Sequence, residues 1–543
     1  MLFTAIISII CMFPTFGLVL RYNLHMFQLN GYKNKEHITW LKKNKGKQGL
    51  LVFVAIAGVI ALIIPSIWLL AVQIIIWLIV CRYYIYLKKV NTKKNLVYTK
   101  RVQRQILTDI ILAVIVLLLV GFVGGLRLIS GTCGILVALQ GVLLLVINLI
   151  NKPIEMSISH YYINDAKKKL KQVPNLKIIG VTGSYGKTSV KYYLYTLLRE
   201  HFNVLITPES YNTPMGVVKT IRESLKPTHE IFVCEMGARH VGDIKEICDI
   251  VHPQHGVITS IGAQHIETFF NIENIVNTKF ELADALPSDG LLFLNGDNMY
   301  IMEHANKYNN KIFYSGSNDK QELVGNSKEK AGRLGDSQNK QKVSGYVAED
   351  IKLSQVGTEF TVVAPSGEKE HFQMRLVGKH NIVNVVGAIA VANRFGVSLS
   401  NLKAAVRRIQ PVAHRMQMTQ HGNVTIIDDA YNSNPVGSKA AVETLAMFDG
   451  VRILVTPGMV ELGKDEKEYN YKFGTYAAKC CDYILLVGKK HTEPIQNGAI
   501  ESGFPKEKCI AYDKLEEALS YAYSINEEGH KYILLENDLP DNY

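Results

Sequence analysis

Thr182-Gly183-Ser184-Tyr185-Gly186-Lys187-Thr188-Ser189 follows an apolar run at residues 178–181 and opens a helix-like pattern over residues 190–198. A buried strand, a glycine turn and a helix N-terminus together present backbone N–H groups and the positive end of a helix dipole. Lys187 and the Thr188 hydroxyl can then reach terminal phosphates and Mg²⁺. The stretch from Gly183 to Ser189 therefore reads as a nucleoside triphosphate cradle, the other reading being a plain strand-to-helix turn. Its spacing, Gly-x-x-Gly-Lys-Thr, is two residues tighter than the standard phosphate loop and points to a narrower family.

Further along, short apolar runs each deliver polar residues. Glu235-Met236-Gly237-Ala238 follows residues 231–234, Gly262-Ala263-Gln264-His265-Ile266-Glu267 follows residues 257–261, and Lys279 lies on a helix-like stretch. Asn295-Gly296-Asp297 ends another strand-like run, and Asp428-Asp429-Ala430-Tyr431-Asn432-Ser433-Asn434-Pro435 follows residues 424–427. In this order the set resembles the Mur ligases, nearest to the branch that adds D-alanyl-D-alanine to a peptidoglycan precursor. The resemblance is continuous from about residue 178 to the low 460s, with a weaker tail.

The resemblance implies an enzyme that joins a carboxylate to an amine through an acyl phosphate, using ATP and Mg²⁺. It casts Lys187 as the cation on the β and γ phosphates, with Thr188 and Glu235 as Mg²⁺ ligands and His265 on a second Mg²⁺. A strand-end carboxylate and an ordinary loop histidine are the plainer readings of Glu235 and His265. Lys279 matches a lysine that several members carry as a carbamate, a further metal ligand. The alternative is a solvated lysine, since carbamoylation needs a buried amine of lowered pKa. Asn295 and Asp297 match adenine-side contacts or form a simple turn, and Asn212 matches an acceptor-side segment or is a loop asparagine. Gly378-Lys379-His380-Asn381 and Asn384 shape the nucleotide pocket in the family, or serve structure alone. Arg415 and Asp429 match positions reaching the triphosphate and ribose, with a surface ion pair as the alternative. Lys187, Lys279, His265 and Arg415 are thus the catalytic set.

Three departures from the family pattern bear on the C-terminal part. His414 stands where glycine usually precedes the arginine. Tyr431, Asn432, Asn434 and Pro435 keep the branch pattern and are assigned to the amine donor, and Met459, Glu461, Leu462 and Gly463 match as well. However, Thr456-Pro457-Gly458 replaces the usual Leu-Gly-Asp, and the tail from Leu534 to Tyr543 stands where a Lys-Gly-Ser-type segment is usual. Donor identity stays open.

The first third is different in kind. Residues 2–20, 50–80, 110–126 and 133–150 are long apolar runs almost without charge, as membrane helices are. The run at 49–81 is too long for one span and has Pro65 near its middle, so a hairpin and five crossings are expected. The loop at residues 21–47 has seven Lys/Arg and the loop at 82–104 has eight. By the positive-inside rule they face the cytoplasm, together with everything after Lys152. No basic segment precedes the first apolar run, so a membrane helix is expected there rather than a signal peptide. Those loops alone carry +14 against +12 for the whole chain. The basic balance is therefore a topology signal and not a nucleic-acid footprint. Eight cysteines without Cys-x-x-Cys spacing read as free thiols in a reducing compartment.

The expected architecture is an N-terminal helical membrane bundle (1–156) followed by two α/β domains. The first is a phosphate-loop ATPase domain with a parallel sheet (157–410), carrying a solvated insertion at 316–345. The second is a smaller C-terminal domain of Mur-ligase type (411–543). The expected protein is a multi-pass enzyme of the cell membrane with cytoplasmic ligase domains. Its partners would be an amino acid or dipeptide amine donor and a lipid-linked or sugar-nucleotide-linked carboxylate acceptor. The alternatives are the orthodox D-alanyl-D-alanine-adding ligase of peptidoglycan synthesis, a membrane-bound poly-γ-glutamate-type synthase, and an ATPase-coupled transporter or scaffold. Few ionisable residues interrupt the spans, Asp109 lying at an edge, which disfavours an ion pathway.

Overall fold

The computed structural model describes residues 2–63, 67–89, 95–124, 126–316, 345–431 and 433–538. Two compact units divide at Tyr161 and Tyr162. The domain boundary expected at residue 157 therefore falls inside a helix, Gln140–Lys171.

The first unit is helical: α1 (Leu2–Leu29), α2 (Asn34–Lys43), α3 (Gly49–Ile63), α4 (Ile67–Lys89), α5 (Lys100–Gly124), α6 (Leu126–Ala138) and α7 (Gln140–Lys171). Among the described residues, two helices are long and apolar enough to cross a membrane, Lys100–Val123 and Gln140–Lys171. The 24 residues of the first rise about 36 Å, more than the roughly 30 Å of a hydrocarbon core. Of the five crossings expected, these two helices are the ones that meet that length and composition among the described residues. The run at 133–150, expected as one span, breaks between α6 and α7, where Gln140 turns inward, fully buried, and donates to Asp109 of α5. The tip expected around Pro65 lies outside the described residues. Helices α3 and α6 approach closely through glycines: a Cβ on Gly58 would meet the Gly131 carbonyl oxygen at 2.7 Å, and one on Gly134 would meet Gly58 Cα at 3.1 Å. Small residues permit such backbone contact.

The second unit contains two sheets. Its first half runs β1 (Lys177–Thr182), α8 (Lys187–Leu198), β2 (Val204–Ile206), α9 (Pro214–Ser224), β3 (Ile231–Glu235), α10 (Asp243–Val251), β4 (His255–Ile258), α11 (Ile266–Phe269), α12 (Ile272–Asp284), β5 (Leu292–Asn295), α13 (Met299–His304), β6 (Lys311–Ser315), β7 (Gly345–Ser354), β8 (Gly357–Val363), β9 (Lys369–Met374), α14 (Lys379–Arg394) and α15 (Leu399–Arg407). Among the described residues these strands form one sheet in the order β2-β3-β1-β4-β5-β6-β7-β8-β9. It is parallel through β7, but β8 and β9 return antiparallel, so the all-parallel expectation is corrected to a mixed sheet. The physical reason is burial: β1, β3 and β5 are covered on both faces, whereas β7 to β9 alternate between buried and open residues. A half-covered meander needs no crossover helix. Residues 317–344 of the expected insertion lie outside the described residues, between β6 and β7, which pair in parallel at Phe313 and Gly345.

Helix α14 packs almost wholly inside, with Val385, Val386, Ala388, Ile389 and Ala392 fully buried. The stretch after Phe395 holds α15, which inserts Leu399, Leu402, Val406 and the following Ile409 into the same core. Three- and four-residue spacing makes that face apolar.

The C-terminal half comprises β10 (Gln417–His421), β11 (Val424–Asp429), α16 (Pro435–Leu445), β12 (Val451–Thr456), α17 (Glu466–Cys480), β13 (Tyr483–Val487), α18 (Lys489–Glu501), β14 (Cys509–Tyr512), α19 (Leu515–Ser524) and β15 (Lys531–Glu536). The sheet order is β10-β11-β15-β12-β13-β14, parallel except for β10. The C-terminal ends of β11, β15 and β12 are thus neighbours, the edge where open α/β sheets hold ligands.

Candidate active site

At the end of β1 the chain turns through two glycines that no other residue could replace without strain. Gly183 has φ 149°, and a Cβ there would sit 2.2 Å from Thr259 Oγ1; Gly186 has φ 79°, with Asn384 Oδ1 at 2.7 Å from its would-be Cβ. Ser184 N donates to the Ser260 carbonyl at 2.6 Å, Ser184 Oγ to Gly262 O at 3.0 Å and the Tyr185 hydroxyl to Ala263 O at 2.8 Å. The turn is thereby bolted to the loop after β4. Ser189 is buried on the first turn of α8 beside Tyr193. Lys187 Nζ curls over the turn, donating to Gly183 O at 2.7 Å and Ser184 O at 2.9 Å. Burial pulls its pKa down to about 8, with Glu235 opposing and Arg415 adding to the shift.

Glu235, the last residue of β3, is 1% exposed. Its Oε1 accepts from Thr188 Oγ1 at 3.0 Å and from Asn212 Nδ2 at 3.0 Å. Its Oε2 receives no aligned hydrogen bond, only the Lys191 ammonium at 3.0 Å. Burial alone would raise this carboxylate's pKa, but Lys191 and Lys187 together hold it below the usual value. Lys191, one turn beyond Lys187 and fully buried, was not anticipated. Its signal is a lysine on the apolar face formed by Val190, Tyr193, Leu194, Leu197 and Leu198. A buried lysine demands an anionic partner.

These residues fit Mg²⁺. Thr188 Oγ1 and the under-bonded Glu235 Oε2 are hard oxygen donors next to a phosphate-binding turn. Among the described residues no three His, Cys, Asp or Glu side chains converge to hold a metal. An ion here would complete its shell with phosphate and water oxygens, as Mg²⁺ commonly does.

Lys279, on α12, is 2% exposed, and its ammonium lies 5.9 Å from the centre of the Phe269 ring. Burial, then the nearby Lys187 charge, lowers its pKa to about 7. The solvated-surface reading of this lysine is therefore set aside. His265 opens α11 at φ 53°, and its Nδ1 is 2.5 Å from Glu461 Oε2. Burial lowers its pKa, against the pull of Glu461.

Arg415 lies in the segment between α15 and β10, stacked 4.5 Å from the centre of the Tyr431 ring. Its charge is felt at Lys187, Lys191, His380 and Asp429, so the structure brings it to the phosphate turn and not to a surface ion pair. His414 has φ 58°, the left-handed conformation that glycine favours, and its Nδ1 sits 2.7 Å from Asp428 Oδ2. A carboxylate anchor thus lets histidine hold a glycine-like backbone. Asp429 accepts from Met416 N at 3.2 Å; burial raises its pKa to about 6, against Arg415.

Four assigned residues have scaffold duties. Asn295 donates to Thr259 O at 2.7 Å and accepts from Asp297 N at 2.9 Å, and Asp297 in turn accepts from Ser315 Oγ at 2.5 Å and Gly316 N at 2.7 Å. Asn434 caps α16, accepting from Val436 N at 3.1 Å and Gly437 N at 2.7 Å. Asn212 supports Glu235 directly. Asn381 accepts from the Tyr193 hydroxyl at 2.9 Å, and desolvation of the half-buried His380 ring lowers its pKa to about 4. Tyr431 is 47% exposed, open enough to meet a ligand. Asn432 lies outside the described residues.

A glycine turn of phosphate-loop type at the end of β1, with the Arg415 charge and the Glu461 carboxylate reaching its surroundings from the C-terminal half, is the arrangement of an ATP-using ligase. The chain belongs to the Mur ligase family: residues 181–392 match the Mur ligase middle domain and residues 414–535 the Mur ligase glutamate ligase domain. It is an ATP-dependent enzyme that forms amide bonds. It is similar to the UDP-N-acetylmuramoyl-tripeptide–D-alanyl-D-alanine ligase of Escherichia coli K12, with 29% identity over 399 residues, covering 72% of this chain and 83% of that protein. The Bacillus subtilis 168 protein of the same name is 27% identical over 347 residues, covering 63% and 69%. In structure the chain resembles MurF from Acinetobacter baumannii, at TM-score 0.60 and 24% identity over 71% of this chain and 78% of that one. It also resembles MurF ligase from Thermotoga maritima in complex with ADP, at TM-score 0.58 and 23% identity over 70% and 80%.

Proposed function

We propose that this protein adds a D-alanyl-D-alanine dipeptide to the terminal carboxylate of a muramoyl-tripeptide precursor in peptidoglycan synthesis. The observation that carries the chemistry is Glu235, bonded by Thr188 and held charged by Lys191 and Lys187 beside the phosphate turn. The substrates are those named for the similar ligases of E. coli and B. subtilis.

The acceptor carboxylate attacks the γ-phosphate, giving an acyl phosphate and ADP. The donor amine then attacks the acyl carbon, an amide forms as phosphate leaves, and the amine's proton is lost. Lys187 and Arg415 neutralise charge on the phosphoryl group in flight. Thr188 and Glu235 would hold Mg²⁺, which would supply further charge neutralisation. His265 would offer its imidazole to a metal there. Lys279 takes up CO₂ as a carbamate, which requires a neutral amine; a pKa of about 7 makes that form abundant at neutral pH. Asp429 and Tyr431 border the nucleotide and donor sides.

The N-terminal helices anchor the enzyme to the cell membrane, the basic loops placing the ligase domains on the cytoplasmic face. A stripe along α5, Ile110, Ile111, Val114, Ile115, Leu118, Leu119 and Phe122, is exposed. Such a patch on one helix face suits lipid. The test is release of ADP and phosphate by the detergent-solubilised full chain given ATP, UDP-N-acetylmuramoyl-tripeptide and D-alanyl-D-alanine. Release should require both substrates and fall about 10²–10³-fold in Lys187→Ala. Hydrolysis indifferent to the dipeptide would refute the ligase assignment of the donor.

A further inference from the structure

Glu461 sits in the loop after β12, and that loop is fixed within its own domain. Asn470 bridges it, accepting from Met459 N at 2.8 Å and donating to Met459 O at 2.9 Å, while Asn537 donates to Gly458 O. From this rigid base the Glu461 side chain leaves its own domain and reaches His265, 2.5 Å away at the start of α11. The loop backbone meets α11 side chains closely here too: a Cβ on Gly463 would lie 3.2 Å from Ile266 Cγ2. Both partners are non-glycine residues with positive φ, 53° at His265 and 64° at Glu461. Such backbone conformations cost about 1–2 kcal/mol each and persist where surrounding structure holds them.

An ionised carboxylate can only accept, so Nδ1 of His265 must carry the ring proton. In the neutral ring the Nε2 lone pair is then left free, pointing away from the C-terminal domain's carboxylate. A carboxylate on the far nitrogen is the usual means of fixing a metal-binding histidine's tautomer and ring plane. Arg239 and Lys187 are the other charges that act on this pair.

We propose that Glu461 is a positioning residue that locks His265 in its metal-facing tautomer, so that this side of the metal site is complete only when the C-terminal domain is docked on the middle domain. The inference rests on the reading of His265 as metal-facing. Metal binding and domain docking are then linked, each strengthening the other by the same factor.

The test is Mn²⁺ affinity, read by electron paramagnetic resonance on the ADP-saturated full chain in detergent. The variants are Glu461→Ala, Glu461→Gln, His265→Ala and the double variant, with retained ADP affinity as the folding control. Glu461→Ala should weaken Mn²⁺ at least tenfold, Glu461→Gln, which can still accept from Nδ1, should weaken it less, and Glu461→Ala should add nothing in the His265→Ala background. Wild-type Mn²⁺ affinity in Glu461→Ala beside a weakened His265→Ala would overturn the positioning role while leaving His265 at the metal. An unchanged His265→Ala would overturn both. Additive losses in the double variant would mark Glu461 as acting independently of the histidine.

Discussion

Lys187, half-buried, and the buried Lys191 act on the Glu235 carboxylate, while the buried Lys279 feels the Lys187 charge, and their environments separate their roles. Lys187 bonds to two carbonyls of the turn, Lys191 pairs with Glu235 at 3.0 Å, and Lys279 sits beside the Phe269 ring with its pKa lowered to about 7. Lys279 thus has the weakest claim to a charge and the strongest to covalent change, because burial outweighs the pull of Asp243 and Glu281 and favours the neutral amine. Lys279→Ala should lose most of its ligation activity, and acetate or formate should restore part of it by filling the carbamate's place. Full activity in Lys279→Ala without added carboxylate would dispose of the carbamate. Lys187→Ala should show no such rescue, since a small carboxylate cannot replace a cation.

At the scale of the element, the end of β15 ties the donor-side loops together. Glu536 is fully buried, accepting from Ser433 Oγ after β11 and from Thr456 Oγ1 at the end of β12 at 3.0 Å. Burial raises its pKa to about 8, and Asp429 pushes it the same way. The folded carboxyl therefore holds a proton that the unfolded chain releases near its ordinary value of 4.5. Stability from this group is present below that value and is lost as pH climbs to about 8. The slope cannot exceed about 1.4 kcal/mol per pH unit for one proton. Urea unfolding of the C-terminal domain should show falling stability from pH 5.5 to 8, and Glu536→Gln, which stays neutral, should flatten that trend apart from the smaller contribution of Asp429. An equal decline in both proteins would exonerate Glu536.

For the whole molecule, every residue placed at the phosphate turn lies within residues 162–539, whereas the long apolar helices begin before it. A chain starting at Ser157 should bind ADP within about threefold of the full chain and stay soluble without detergent. The full chain should sediment with lipid vesicles, as an exposed apolar stripe on a membrane-length helix requires. Recovery of the full chain in the aqueous phase without detergent would remove the membrane anchor from the proposal.

The strand, glycine turn and helix around Lys187 were legible in the sequence because they are local: Gly183, Gly186, Lys187 and Thr188 lie within six positions, between a strand and a helix fixed by apolar periodicity. The family and both α/β domains followed from the same kind of local order. Arg415 with His414 was half legible, a motif whose odd residue made sense only once its backbone proved left-handed and anchored by Asp428. Lys191 and Glu461 were not legible as site residues. The pairing of Lys191 with Glu235 and of Glu461 with His265 spans 44 and 196 positions of chain, and no local pattern encodes such contacts. The antiparallel turn of β8 and β9, the break before Gln140 and the scaffold roles of Asn295 and Asn434 likewise depend on which neighbours packing delivers. Local backbone preference and hydrophobic period are properties of sequence; desolvation and charge pairing between distant segments exist only in the folded chain.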